Sequence, residues 1–109
     1  MTRLIPLLFL FGCATTVDLS RPPPIDWPQL TVEVRQVSED MARKACGNPR
    51  MISVYGCAVV FFPIRKCIIF LANNSRETLE HEKLHCLGYD HIGESSMRDG
   101  WARHKAILR

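Results

Sequence analysis

Apolar and polar side chains alternate along Leu30-Thr31-Val32-Glu33-Val34-Arg35, the period of a half-buried β-strand. Ser38 is placed to cap a short helix running to Cys46, with Met41, Ala42 and Ala45 inward. Gly47 and the Asn48-Pro49 pair after it end that helix. Met51 to Phe62 is rich in Ile, Val, Tyr and Phe and predicts a strand, with Gly56 as a bulge position. Pro63 to Lys66 turns the chain, and Cys67 to Leu71 predicts another strand. Asn74 followed by Glu77 three residues later resembles a capping box that opens a helix. A last amphipathic helix is expected from about Ser95 to Leu108, with Met97, Trp101 and Leu108 on one side. The order is that of an α+β fold, a small sheet of about three strands backing the helix that starts near Asn74.

Upstream of Leu30 the pattern changes. Arg3 precedes a continuous apolar run from Leu4 to Phe11 broken only by Pro6. Eight residues are too few to span a bilayer, which takes about 20, but they suit a secretory signal. Residues 14–29 hold Pro22-Pro23-Pro24 and Pro28 with little apolar periodicity, and so read as an extended spacer in which Ile25 and Trp27 can dock on a domain. The division expected is therefore 1–12 signal peptide, 13–29 anchor and tether, and 30–109 folded domain. So small a domain has a marginal core. The formal charge of the 109-residue chain is +3, and losing Arg3 with the signal leaves +2. There is no Lys/Arg cluster with interleaved aromatics, so no nucleic-acid partner is expected.

The chemistry concentrates in one stretch, His81-Glu82-Lys83-Leu84-His85-Cys86-Leu87-Gly88-Tyr89-Asp90-His91, which contains three of the four histidines. On a helix, His81 and His85 leave the same face one turn apart. Gly88 can end that helix in the left-handed conformation, letting the chain return His91 toward the pair. Three imidazoles leave one position of a tetrahedral zinc open, the layout of a catalytic site. Glu82 lies about 100° around the helix from His81, within reach of a metal-held water without being a ligand. The plainer alternatives are surface histidines beside a polar turn, or a zinc that only supports folding.

These residues spell H-E-x-x-H-x-x-G-x-x-H and resemble the signature of the metzincin zinc endopeptidases, over Glu77 to about Met97. The resemblance implies a zincin-like minimal domain, zinc held by His81, His85 and His91, and Glu82 as general base in peptide hydrolysis. It also implies an edge strand beside the zinc helix that takes extended peptide, for which Ile68 to Ala72 is the nearest candidate, an internal strand of the sheet being the plainer reading of the same residues. Leu84-His85, Leu87-Gly88-Tyr89-Asp90-His91 and Met97 are similar, too, to the bacterial rRNA-maturation endoribonucleases of the YbeY type. Those carry glycine at the position of Glu82. Metzincins set a methionine beneath the zinc, but Met97 follows His91 by only six residues and reads as core of the last helix. His104, between Arg103 and Lys105, reads as solvent-exposed. Tyr89 reads as a packing residue at a helix end. Eighteen residues follow His91, so a partner protein or a dimer is expected to complete a substrate cleft.

Leu10-Phe11-Gly12-Cys13 resembles a bacterial lipobox, which implies a lipid on Cys13 and a chain anchored in the cell envelope, facing the periplasm. Cys46, Cys57, Cys67 and Cys86 then remain, an even number in an oxidising compartment, and three pairings are open. Cys86 is read as a disulfide or buried thiol, not a ligand. The functional expectation is a lipid-anchored zinc metallopeptidase. The alternatives are an endoribonuclease-like hydrolase and a non-catalytic zinc-binding lipoprotein.

Overall fold

The computed structural model describes residues 21–47 and 55–108. The signal segment, Cys13 and the Met51 to Val54 start of the predicted strand lie outside those residues. Strands β1 (Thr31–Gln36), β2 (Gly56–Phe61) and β3 (Lys66–Leu71) form one mixed sheet in the order β1-β3-β2. β3 runs parallel to β1 and antiparallel to β2. Helices α1 (Glu39–Cys46), α2 (Arg76–Cys86) and α3 (Ser96–Ile107) complete the expected α+β arrangement, with a 3₁₀ turn over Phe62–Ile64.

β3 sits centrally, and its alternation sorts the core into two layers. Cys67, Ile69 and Leu71 face α2 and cluster with Cys86, flanked by Leu30, Ala58, Val60 and Leu79. Register puts Ala58 beside Ile69 and Val60 beside Cys67, so β2 contributes to the same layer. Ile68 is buried from the other side, the side of Cys57 and α1. Each layer carries one disulfide. Cys46 at the end of α1 pairs with Cys57 of β2, and Cys67 of β3 pairs with Cys86 in the last turn of α2. Of the three pairings open from sequence, this one staples a helix to the sheet on each face.

Several local expectations are corrected. Ile68 to Ala72 is not an edge, because β3 is hydrogen-bonded on both sides and the sheet edges are β1 and β2. The apolar face of β1 is not covered either: Val32 and Val34 remain 44% and 46% exposed. Gly56 makes no bulge. It pairs in register with Leu71, and a Cβ there would stand 2.9 Å from the Phe70 carbonyl oxygen and 3.1 Å from the Thr78 methyl, so close packing of α2 requires glycine. In α1, Ser38 caps Met41 and Gly47 ends the helix at φ 71°, as expected, but Met41 is half-exposed and only Ala42 is fully buried. In α3, Trp101 is buried whereas Leu108 is exposed.

The proline-rich segment is no free spacer from Arg21 onward. Trp27 stacks edge-on against Phe62 and Trp101, and its indole N–H donates to the Cys86 carbonyl at 3.1 Å. Ile25 stays fully exposed. Lys105 of α3 bonds Asp26 at 2.5 Å and lies over the Trp101 ring, holding that carboxyl below its usual range. The His104 ring is half-buried, stacked on Phe62 and Trp101, with its Nε2 3.3 Å from the Arg65 guanidinium. Its expected solvent exposure is thereby corrected: the aromatic cluster under α3 takes the ring.

Candidate metal centre

The helix that carries the site is capped one residue later than the capping-box reading had it. Ser75 Oγ accepts the Thr78 N–H at 3.2 Å, and Asn73 Oδ1 accepts the Ser75 N–H at 3.1 Å. Glu82, His85 and Cys86 are the buried residues of α2, a stripe spaced i, i+3, i+4. Such a stripe ordinarily takes apolar side chains. Here two of its three members are titratable, and burying them costs free energy that packing alone does not explain. The disulfide from Cys86 to Cys67 fixes the same turn to the central strand.

α2 ends at Cys86. Gly88 takes φ 98°, and the Tyr89 N–H returns to the Leu84 carbonyl at 3.1 Å, turning the chain back as the glycine implied. The glycine meets a second demand that spacing did not reveal. A Cβ at Gly88 would stand 2.6 Å from Pro23 Cβ and 2.7 Å from the Trp27 ring. The upstream segment thus lies directly on this turn.

The turn brings His91 to the helix pair. Ligand nitrogens of His81, His85 and His91 all lie within 4.8 Å of one another, and the Nε2 atoms of His85 and His91 are 3.2 Å apart. His85 Nδ1 lies 2.9 Å from the Tyr89 carbonyl oxygen. A carbonyl only accepts, so Nδ1 carries the hydrogen and the Nε2 of the neutral ring presents a lone pair toward His91. Burial lowers the His85 pKa, and the neighbouring His91 and His81 act in the same direction, which favours that neutral form. Two nitrogens bound about 2.05 Å from one tetrahedral ion are about 3.3 Å apart, close to the separation found. The donor set and its spacing therefore fit a metal ion, and the Tyr89 carbonyl supplies the outer hydrogen bond that orients a ligating imidazole.

Glu82, beside His81, is only 7% exposed, and burial pushes its pKa up to about 7. Met97 is half-buried, and its backbone N–H donates to Asp90 Oδ1 at 3.0 Å.

Asp90 is the residue that sequence reasoning passed over. It is 1% exposed and accepts from Ser96 Oγ (3.3 Å), Met97 N (3.0 Å) and Arg98 N (3.3 Å), which satisfies free donors at the start of α3. Its own N–H donates to the Arg21 carbonyl at 3.1 Å, while the Arg21 side chain reaches the Glu94 carbonyl and Arg98 reaches the Pro22 carbonyl. The residue before His91 is thus tied to α3 on one side and to the proline segment on the other. An acidic residue shortly before a helix that opens Ser-Ser-Met-Arg was the available signal, since Ser95 makes no side-chain cap of its own.

The chain matches no protein-family model, no curated protein and no solved structure with which it was compared. The candidate metal site rests on the histidine geometry itself. Among the described residues no helix is long and apolar enough to cross a membrane.

Proposed function

We propose that this chain is a zinc-dependent metallopeptidase of the metzincin type, lipid-anchored at Cys13 in a bacterial envelope. The observation that carries the reading is the His81–His85–His91 cluster with a buried carboxyl, Glu82, beside its first member. The two cysteine pairs support an oxidising compartment.

Zinc in such a site supplies Lewis acidity, drawing the pKa of a coordinated water toward about 7 and polarising a carbonyl. His81, His85 and His91 would hold it, with His85 kept in the required tautomer by the Tyr89 carbonyl. Glu82 acts as the proton carrier. Its raised pKa near 7 suits a group that accepts a proton from attacking water and passes it to the departing amine. Glutamate at this position favours the peptidase over the endoribonuclease reading, in which glycine stands here.

Glu82→Gln separates the roles. The variant should keep the parent's zinc stoichiometry and lose peptide cleavage by about 10²–10⁴-fold, as for loss of a positioned general base. His91→Ala should instead lose zinc, measured by metal analysis after dialysis. Full activity in Glu82→Gln, or zinc loss matching that of His91→Ala, refutes the assignment. A parent that cleaves RNA and no peptide transfers the site to the endoribonuclease class.

A further inference from the structure

β1 is an edge strand whose outer side no strand covers among the described residues. Its hydrogen-bonding phase is set at both ends: Thr31 N–H donates to the Arg65 carbonyl and Val37 N–H to the Leu71 carbonyl. Residues alternate along a strand, so the odd positions face β3. Val32, Val34 and Gln36 direct their N–H and C=O groups outward, unpaired within the sheet. The side chains of Val32 and Val34 are nearly half exposed on the α2 side. There a groove of about 550 Å³ runs between β1 and α2, lined among others by Val34, Gln36, Leu71 and Leu79.

The opposite face of β1 carries Glu33 and Arg35, salt-bridged to each other and, through Glu33, to Lys66. Charges on an edge strand ordinarily repel foreign strands. This pair, however, is complementary to its own inverse. An antiparallel copy centred on Val34 sets Val34 opposite Val34, Val32 opposite Gln36, and Glu33 opposite Arg35. Both facing charge pairs are then of opposite sign. The three outward-bonding residues also become hydrogen-bonded partners, giving six backbone bonds across the two-fold axis. Centring on Val32 or Gln36 keeps the bonding phase but loses the charge match. Centring between residues sets outward groups against inward ones.

We propose that two copies of this chain associate through β1, antiparallel about a two-fold axis at Val34, to form one six-stranded sheet. The valines of the two copies then form one continuous stripe on the α2 face. The β2 edge at the far side is left free in each copy. None of this depends on the metal site or on its chemistry.

Sedimentation equilibrium of the full chain tests the pairing, with circular dichroism confirming that each variant is folded. The parent should be a dimer. Arg35→Glu should raise the dissociation constant by about tenfold or more, because two like-charge pairs replace two opposite ones. Glu33→Arg combined with Arg35→Glu should recover the dimer, although Lys66 loses its partner. Val34→Pro deletes only an outward N–H, leaves the bonds to β3 in place, and should give a monomer. A parent that stays monomeric up to about 1 mM overturns the proposal. So does association indifferent to Arg35→Glu and Val34→Pro, the behaviour expected if the apolar stretch before Cys13 drives it.

Discussion

His85 and His91 bring their Nε2 atoms to 3.2 Å by two unlike routes. His85 sits on an 11-residue helix pinned to the central strand by the Cys67–Cys86 bridge and packed against Ile69 and Leu71. His91 sits on irregular chain between α2 and α3. Its position depends on Asp90 being tied to the first turn of α3 and on the Arg21–Trp27 segment lying across the turn. One half of the site is built by secondary structure and a covalent staple. The other is built from polar bonds, those of Asp90 to the nearby start of α3 and those to chain about 70 residues upstream. The staple makes the first half insensitive to small perturbations. The second half is held by bonds worth about 1 kcal/mol apiece, so it is where the site opens first.

The largest break is expected on the stapled side. Replacing both Cys67 and Cys86 by alanine removes the 19-residue closure between β3 and the last turn of α2. It should cost about 2–5 kcal/mol of stability, read by urea denaturation. Metal affinity should fall with it, because His85 is the neighbour of Cys86. If the double variant is as stable as the parent, packing of Ile69 and Leu71 alone holds the helix, and the contrast between the halves is lost.

A second test sharpens the contrast through pH. Glu82 belongs to the helical half, and its folded pKa of about 7 lies above the ordinary 4.5 because of burial. The folded metal-free chain therefore binds more protons than the unfolded chain between those values. Stability from this group is full below pH 4.5 and is lost as pH rises through 7. The total is about 3 kcal/mol. Glu82→Gln should abolish that slope, so that melting curves of parent and variant in chelator diverge toward neutral pH. Parallel curves would place the carboxyl in water, outside the buried stripe of α2.

Legibility from sequence follows the same division. His81, His85, Gly88 and His91 were readable because helix pitch and a left-handed glycine act over ten residues. Glu82 was readable as a neighbour of His81 for the same reason. The helix bounds came within a residue or two, with Ser75 taking the cap read for Asn74. What failed was what distant chain decides. Nothing local in Cys67 to Leu71 says that β1 and β2 flank it on both sides, so edge and internal strand stayed equally open until the sheet order decided for the internal one. The alternation of β1 predicted a buried face, and Val32 and Val34 stay exposed on it. Docking was open to both Ile25 and Trp27, and only the Trp27 indole takes it, against Cys86 and Gly88, while Ile25 stays exposed. His104 looked like surface until Phe62 and Trp101 enclosed its ring.

The smallest expected effect is the most diagnostic, and Asp90 carries it. Asp90→Ala deletes an acceptor for two backbone N–H groups and one hydroxyl at the start of α3. Loss of a helix cap of this kind costs about 1–2 kcal/mol, less than loss of the disulfide. The hydrogen bonds of its carboxylate go to the start of α3, while its charge acts on His85 from a distance, so capping and charge alone predict a lower denaturation midpoint with metal affinity no weaker in Asp90→Ala than in the equally uncharged Asp90→Asn. The geometry predicts more. Asp90 adjoins His91 and bonds Arg21 through its backbone, so releasing its carboxylate loosens the third ligand while His81 and His85 stay in place. Metal affinity, measured by competition with a chromophoric chelator under conditions where the variant is fully folded, should fall by about tenfold, the lower end for orienting partners of a metal ligand. Asp90→Asn keeps one acceptor oxygen and should fall between parent and alanine on both measures. If Asp90→Ala binds metal as the parent does, the loop half is held by the Arg21–Trp27 segment alone. The same titration on Trp27→Phe would then show the larger loss.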